Sequence, residues 1–242
     1  GLFVIEDAAH APGATYLSIA PGSAAAKLGT IGDIGCFSFF GNKNMTTAEG
    51  GMAVTNNDSL AKKIRTARSH GMTSLTWDRH KGHSFSYDVV SLGFNYRIDE
   101  LRSSLGLTQL SKLSSNNKKR KDLWKIYLKK LGQVTEITVP FAHSNADSAY
   151  HFLPILLPKE TNREAFMADL REDGVQTSIH YPPVHFFSYY RQNLPHPVEL
   201  PITEHVGNRE VTLPLFPTMQ PEQVEYVGDS VKGFFVNEKK RG

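Results

Sequence analysis

The chain has 242 residues, 40% hydrophobic and 21% charged, and 27 basic residues against 24 acidic ones give a formal net charge of +3. That composition suits a globular chain with a sizeable core, excludes a disordered segment or a disulfide scaffold, and carries too little charge to imply nucleic acid by itself. One cysteine, Cys36, admits no intrachain disulfide, and no run of about 18 apolar residues is present to span a membrane, so a reducing cytoplasm is the expected compartment.

Residues 2–5 (LFVI) form a continuous apolar run with β-branched members, the pattern of a parallel strand buried on both faces. Asp7 then falls at the strand's carboxyl end, where open α/β folds place their ligands. The chain starts at Gly1, without methionine, inside this expected strand. Short strands are expected over residues 35–39 and 51–55. Asp58 is predicted to cap a helix reaching about residue 68, with Leu60, Ile64 and Ala67 on one face.

Residues 70–90 show no periodicity and include Trp77, Arg79, His80 and His83; a stretch this long suits either a substrate-entrance loop or a plain surface loop. Asp99 begins a helix with Leu101, Leu105, Leu110 and Leu113 as its apolar positions. A long charged helix follows over 114–131, in which 118–121 (KKRK) reads as a solvated face.

After Gly132 the character changes. Strands are expected over 134–140 and 150–157, with Pro154 making the second an edge or bulged strand. Thr161 and Glu164 have capping-box spacing, Phe166 and Leu170 share a helical face, and Gly174 follows as a stop. Val175, Thr177, Ile179 and Tyr181 alternate like a strand. Pro221 opens a last helix with Val224, Val227 and Val231 on one side. The order suggests an α/β domain over residues 1–131, ending in a linking helix, and a small α+β domain over 132–242.

Two residues carry the chemistry. Asp7 ends a strand, and Lys43 lies in a turn rich in glycine and hydroxyl groups between two apolar strands, placed to point into a pocket. Cys36, between Ile34 and Phe37, reads as a buried strand residue rather than a nucleophile. The ten histidines show no spacing with acids or cysteines that makes a metal site.

Four stretches in order, VIEDAAHAPGA, GDIGCFSFFGNKNMTTAEGGMAVTN, LGFNYRIDELRSSLGLTQLSKL and IHYPPVH, resemble the DegT/DnrJ/EryC1/StrS family of sugar aminotransferases. The resemblance implies the aspartate-aminotransferase fold: part of the large pyridoxal 5'-phosphate-binding domain, with a mainly parallel sheet and helices, followed by the small domain. It implies that Lys43 forms the Schiff base with the cofactor and that Asp7 pairs with its pyridine nitrogen. His10 would contact its phenolic oxygen, Ser38 would bind its phosphate, and Asn95 would reach the phosphate of a neighbouring subunit, with Arg97 assisting.

The chemistry needs these types. A Schiff base needs an amine, and a carboxylate beside the pyridine nitrogen keeps that nitrogen protonated. The implied reaction is transamination of a keto-sugar nucleotide, with glutamate as donor, in a cytoplasmic homodimer with shared active sites serving amino-sugar and cell-surface polysaccharide synthesis. Relatives that dehydrate carry histidine at the lysine position, and Lys43 argues against that chemistry. His180 and Tyr181 begin a motif that suits backbone rigidity and substrate contact equally. Family members carry well over a hundred residues before the first stretch. The chain is therefore expected to be a C-terminal portion of such an enzyme, the alternative being a fragment without activity.

Overall fold

The computed structural model describes residues 1–16, 25–73, 87–142, 144 and 146–241. The chain forms two compact units, one of Gly1–Asn116 with Asn145–Ala149, the other of Asn117–Ser144 with Tyr150–Gly242.

In the first unit, β1 (Ile5–Asp7) pairs in parallel with β4 (Ile34–Ser38), and β5 (Gly51–Val54) runs antiparallel on the other side of β4. The register sets Ile5 opposite Ile34 and Asp7 opposite Cys36, while Ser38 lies opposite Gly51. A second small sheet has β2 (Thr15–Tyr16) between β3 (Ala26–Lys27) and β6 (Ala146–Asp147).

The expectation of a strand buried on both faces does not hold. Leu2 is 97% exposed and Ile5 67%. Among the described residues β1 is paired along one edge only, and little covers its faces. Cys36, expected to be buried, is exposed for the same reason. Apolar composition permits burial but does not supply the covering layer.

Helix α1 (Asp58–Ala67) starts one residue earlier than a cap at Asp58 would place it. Asn57 is the cap, its side chain accepting the Leu60 N–H at 3.1 Å. The two helices expected after Asp99 are one continuous helix, α2 (Glu100–Leu131), about 48 Å long at 1.5 Å per residue. Asp99 caps it, accepting from the Arg102 N–H at 2.8 Å. Its first-half leucines Leu101, Leu107 and Leu110 are exposed, whereas Leu113 packs with Phe39 and Met45.

The second unit is built around a continuous core. Leu123, Tyr127 and Leu131 of α2 meet β7 (Leu153–Leu156), β8 (Glu210–Leu213), α3 (Arg163–Glu172) and α6 (Pro221–Arg241). β7 and β8 are antiparallel, with Leu153 opposite Leu213. Phe166 and Leu170 of α3 and Val224, Val227 and Val231 of α6 are buried, as their spacing predicts. Asn162, not Thr161, caps α3. Residues 134–140 and 175–181 form no strand; each makes a single bridge, Thr138 to Leu156 and Ser178 to Thr212. Two short helices, α4 (Ser188–Asn193) and α5 (Pro201–Gly207), lie between.

Arg120 corrects the solvated-face reading of residues 118–121. Its guanidinium is buried and donates to the carbonyls of Leu215 at 2.6 Å and His151 at 3.1 Å. Burial lowers its pKa to about 10. Among the described residues no helix is long and apolar enough to cross a membrane.

Candidate active site

Side chains alternate across a strand, and residues in register on neighbouring strands share a face. Asp7 is in register with Cys36, so Asp7, Cys36 and Ser38 lie on one face at the carboxyl ends of β1 and β4. Strand geometry puts the Asp7 and Ser38 backbones roughly 8 Å apart. The Asp7 carboxylate accepts the Ala9 N–H at 3.0 Å, closing the turn that carries His10. Ser38 Oγ accepts the Phe40 N–H at 3.3 Å.

Glu6 faces the other way. Its carboxylate accepts the N–H groups of Gly29 at 2.7 Å and of Ile31 and Gly32 at 2.6 Å. Burial alone would raise its pKa; the Gly32, Gly29 and Ile31 donors outweigh that and hold it below the usual carboxylate range. Glu6 thus ties the loop before β4 against β1 and keeps the two strand ends level. In the sequence Glu6 carries little local signal, standing between an apolar run and a more conspicuous acid.

Lys43 is half-buried on the connection from β4 to β5, five residues beyond Ser38. That connection is cross-braced. Phe39 donates its N–H to the Gly50 carbonyl at 2.8 Å and accepts the Thr47 N–H at 2.9 Å, and Lys43 donates its own N–H to the Phe40 carbonyl at 3.0 Å. Thr46 Oγ1 accepts the Ala48 N–H at 2.9 Å, holding Ala48 at φ 65°. Asn44 and Thr47 are buried; the sequence signal for them is a polar stretch around the apolar Met45 in a turn between two strands.

Asn95 comes from a different segment. Phe94 accepts the His70 N–H at 2.9 Å, and Tyr96 donates to Arg68, so residues 94–96 are tied to the end of α1. A Cβ on Gly93 would lie 2.1 Å from the Gly71 nitrogen, so only glycine allows this approach. Asn95 itself is exposed, beside the exposed, stacked rings of Phe94 and Tyr96 at 4.9 Å.

Asp7 and Ser38 lie at adjacent strand ends, His10 and Lys43 lie on the turns that follow those strands, and Asn95 lies on a separate exposed segment. Trp77, Arg79, His80 and His83 lie outside the described residues. Among the described residues no group of three or more His, Cys, Asp or Glu is placed to hold a metal.

The model of the DegT/DnrJ/EryC1/StrS aminotransferase family matches residues 1–232. The spore coat polysaccharide biosynthesis protein SpsC of Bacillus subtilis is 35% identical over 243 residues, covering 96% of this chain and 61% of that protein. PseC of Helicobacter pylori, an aminotransferase involved in pseudoaminic acid biosynthesis, superposes with a TM-score of 0.86 at 29% identity, over 98% of this chain and 60% of its own. Spr1654 of Streptococcus pneumoniae, solved in its PLP-form, gives 0.82 at 26% identity, over 96% and 57%. The expected fold class is upheld. The chain spans about 60% of the length of the curated relatives it matches.

Proposed function

The chain belongs to the DegT/DnrJ/EryC1/StrS aminotransferase family, and from that premise we propose that it serves the pyridoxal 5'-phosphate-dependent transamination of a keto-sugar nucleotide to an amino sugar, with glutamate as the donor. The observation that carries the reading is the common face of Asp7 and Ser38 at adjacent parallel strand ends, with Lys43 on the turn that follows.

The donor set suits the cofactor by its chemistry: an amine, a carboxylate, a hydroxyl and an imidazole on strand ends and the turns that follow them, with Asp7 exposed. When bound, pyridoxal 5'-phosphate supplies an electron sink for charge developing at the donor Cα. Lys43 offers the amine that holds the cofactor and, once released, carries the proton away from the donor Cα. Asp7 keeps the pyridine nitrogen protonated. His10 contacts the phenolic oxygen and Ser38 holds the phosphate. Asn95, exposed on its own segment, serves the phosphate of a second copy, which makes the working form a homodimer.

In this reading residues 1–131 end the cofactor-binding domain and 132–242 form the small domain, in a cytoplasmic enzyme that acts on no nucleic acid or membrane. The test is to mix the full-length protein with pyridoxal phosphate, reduce with borohydride and map the modified peptide. An adduct on Lys43 is expected; its absence overturns the reading.

A further inference from the structure

Resting on that reading of Lys43, we infer that the adjacent Asn44 is its positioning residue: the Asn44 side-chain amide clamps the lysine-bearing turn to the carbonyl of Ala149. Asn44 is 7% exposed, and its Nδ2 donates to Ala149 O at 2.6 Å across 105 positions of sequence. The receiving end is held. Ala149 is 1% exposed and lies two residues beyond β6, which pairs with β2.

The turn is gripped on the carboxyl side of Lys43. Met45 packs on Phe39 and Leu113, and the Thr47 methyl sits against α2 where a Cβ on Gly106 would come within 2.9 Å of it. On the other side, Gly41 and Asn42 are exposed. Lys43 therefore stands where an exposed half of the turn, braced locally by the Lys43 N–H on the Phe40 carbonyl, gives way to a packed half, and Asn44 opens that packed half and is tied to a distant segment. A lysine stem has four rotatable carbons, so its amine is placed only as well as the backbone at its root. A misplacement of about 1 Å costs on the order of 100-fold where reacting atoms must align. Deleting the amide also leaves the Ala149 carbonyl without this donor in a buried site.

The test uses the full-length protein and its Asn44→Ala, Asn44→Asp and Met45→Ala variants. The first readout needs no cofactor: the rate at which an amine acylating reagent labels Lys43, divided by that of the exposed Lys62 on α1, read by peptide mass. The second is the rate of borohydride-trapped adduct at Lys43 with pyridoxal phosphate. Loss of the clamp in Asn44→Ala and Asn44→Asp is expected to raise the labelling ratio at least threefold and slow trapping about tenfold. Met45→Ala, which loses packing but keeps the amide, should leave the ratio within twofold. An unchanged ratio in Asn44→Ala overturns the proposal, as does an equal rise in Met45→Ala. If Asn44→Ala does not fold, Asn44→Asp decides by the same ratio. Should the unmutated protein form no adduct at Lys43, the aminotransferase reading fails, while the labelling ratio still decides the role of Asn44.

Discussion

Asp7 lies opposite Cys36 in the parallel pairing of β1 and β4, which sets Ser38 one β repeat further along the same face. A carboxylate and a hydroxyl are thereby spaced along one ledge of strand ends, and Lys43 lies in the connection that follows β4.

With the cofactor roles proposed above for Lys43, Asp7 and Ser38, this ledge predicts a graded series. Lys43→Ala should abolish the borohydride-trapped adduct. Asp7→Asn should leave cofactor retention within a few-fold but cut turnover severely, since the pyridine nitrogen loses its counter-charge. Ser38→Ala removes one hydrogen bond to a phosphate, about 1.5–3 kcal/mol, or roughly 10–100-fold in cofactor affinity by fluorescence titration. Equal effects for Ser38 and Lys43 would contradict the assignment.

Glu6 predicts a pH dependence. Its folded pKa lies below the unfolded one, so between the two values the unfolded chain binds more protons and stability rises with pH. The contribution is complete above the ordinary glutamate pKa and is lost as pH falls through the folded value. Glu6→Gln should therefore flatten the melting temperature across the acid range, and Glu6→Ala should lower it near neutrality by removing the acceptor of three N–H groups. An acid limb identical to that of the unmutated protein would refute this.

Gly93→Ala is expected to move the Asn95 segment off α1. The added Cβ would meet backbone at Gly71 and His70, and neither is a flexible tip able to swing away. Amide exchange at Phe94 and Tyr96 should rise at least tenfold. Unchanged protection would mean the close approach is dispensable.

Arg120→Met keeps the stem and removes the donors to Leu215 and His151. The buried Leu215 carbonyl and the part-buried His151 carbonyl lose this donor, at a cost of about 2–4 kcal/mol in denaturant unfolding. Lys119→Met, on the exposed side of the same helix, should stay within about 0.5 kcal/mol. Similar costs for the two would restore the solvated-face reading of residues 118–121.

What the amino-acid order determined by itself was local. The apolar spacing of Val224, Val227 and Val231 specified the buried side of α6, and Phe166 with Leu170 did the same for α3, because a helical repeat is written within a few turns. The motif around Lys43 located the candidate chemistry because its residue types are the chemistry. Tertiary structure alone decided the rest. Cys36 and Arg120 exchanged expected places, one exposed and one buried, because burial depends on which distant segments arrive to cover a residue. Glu6 and Asn44 acquired their tasks from partners 23 to 26 and 105 positions away, and no local pattern encodes a contact whose other half lies so far along the chain.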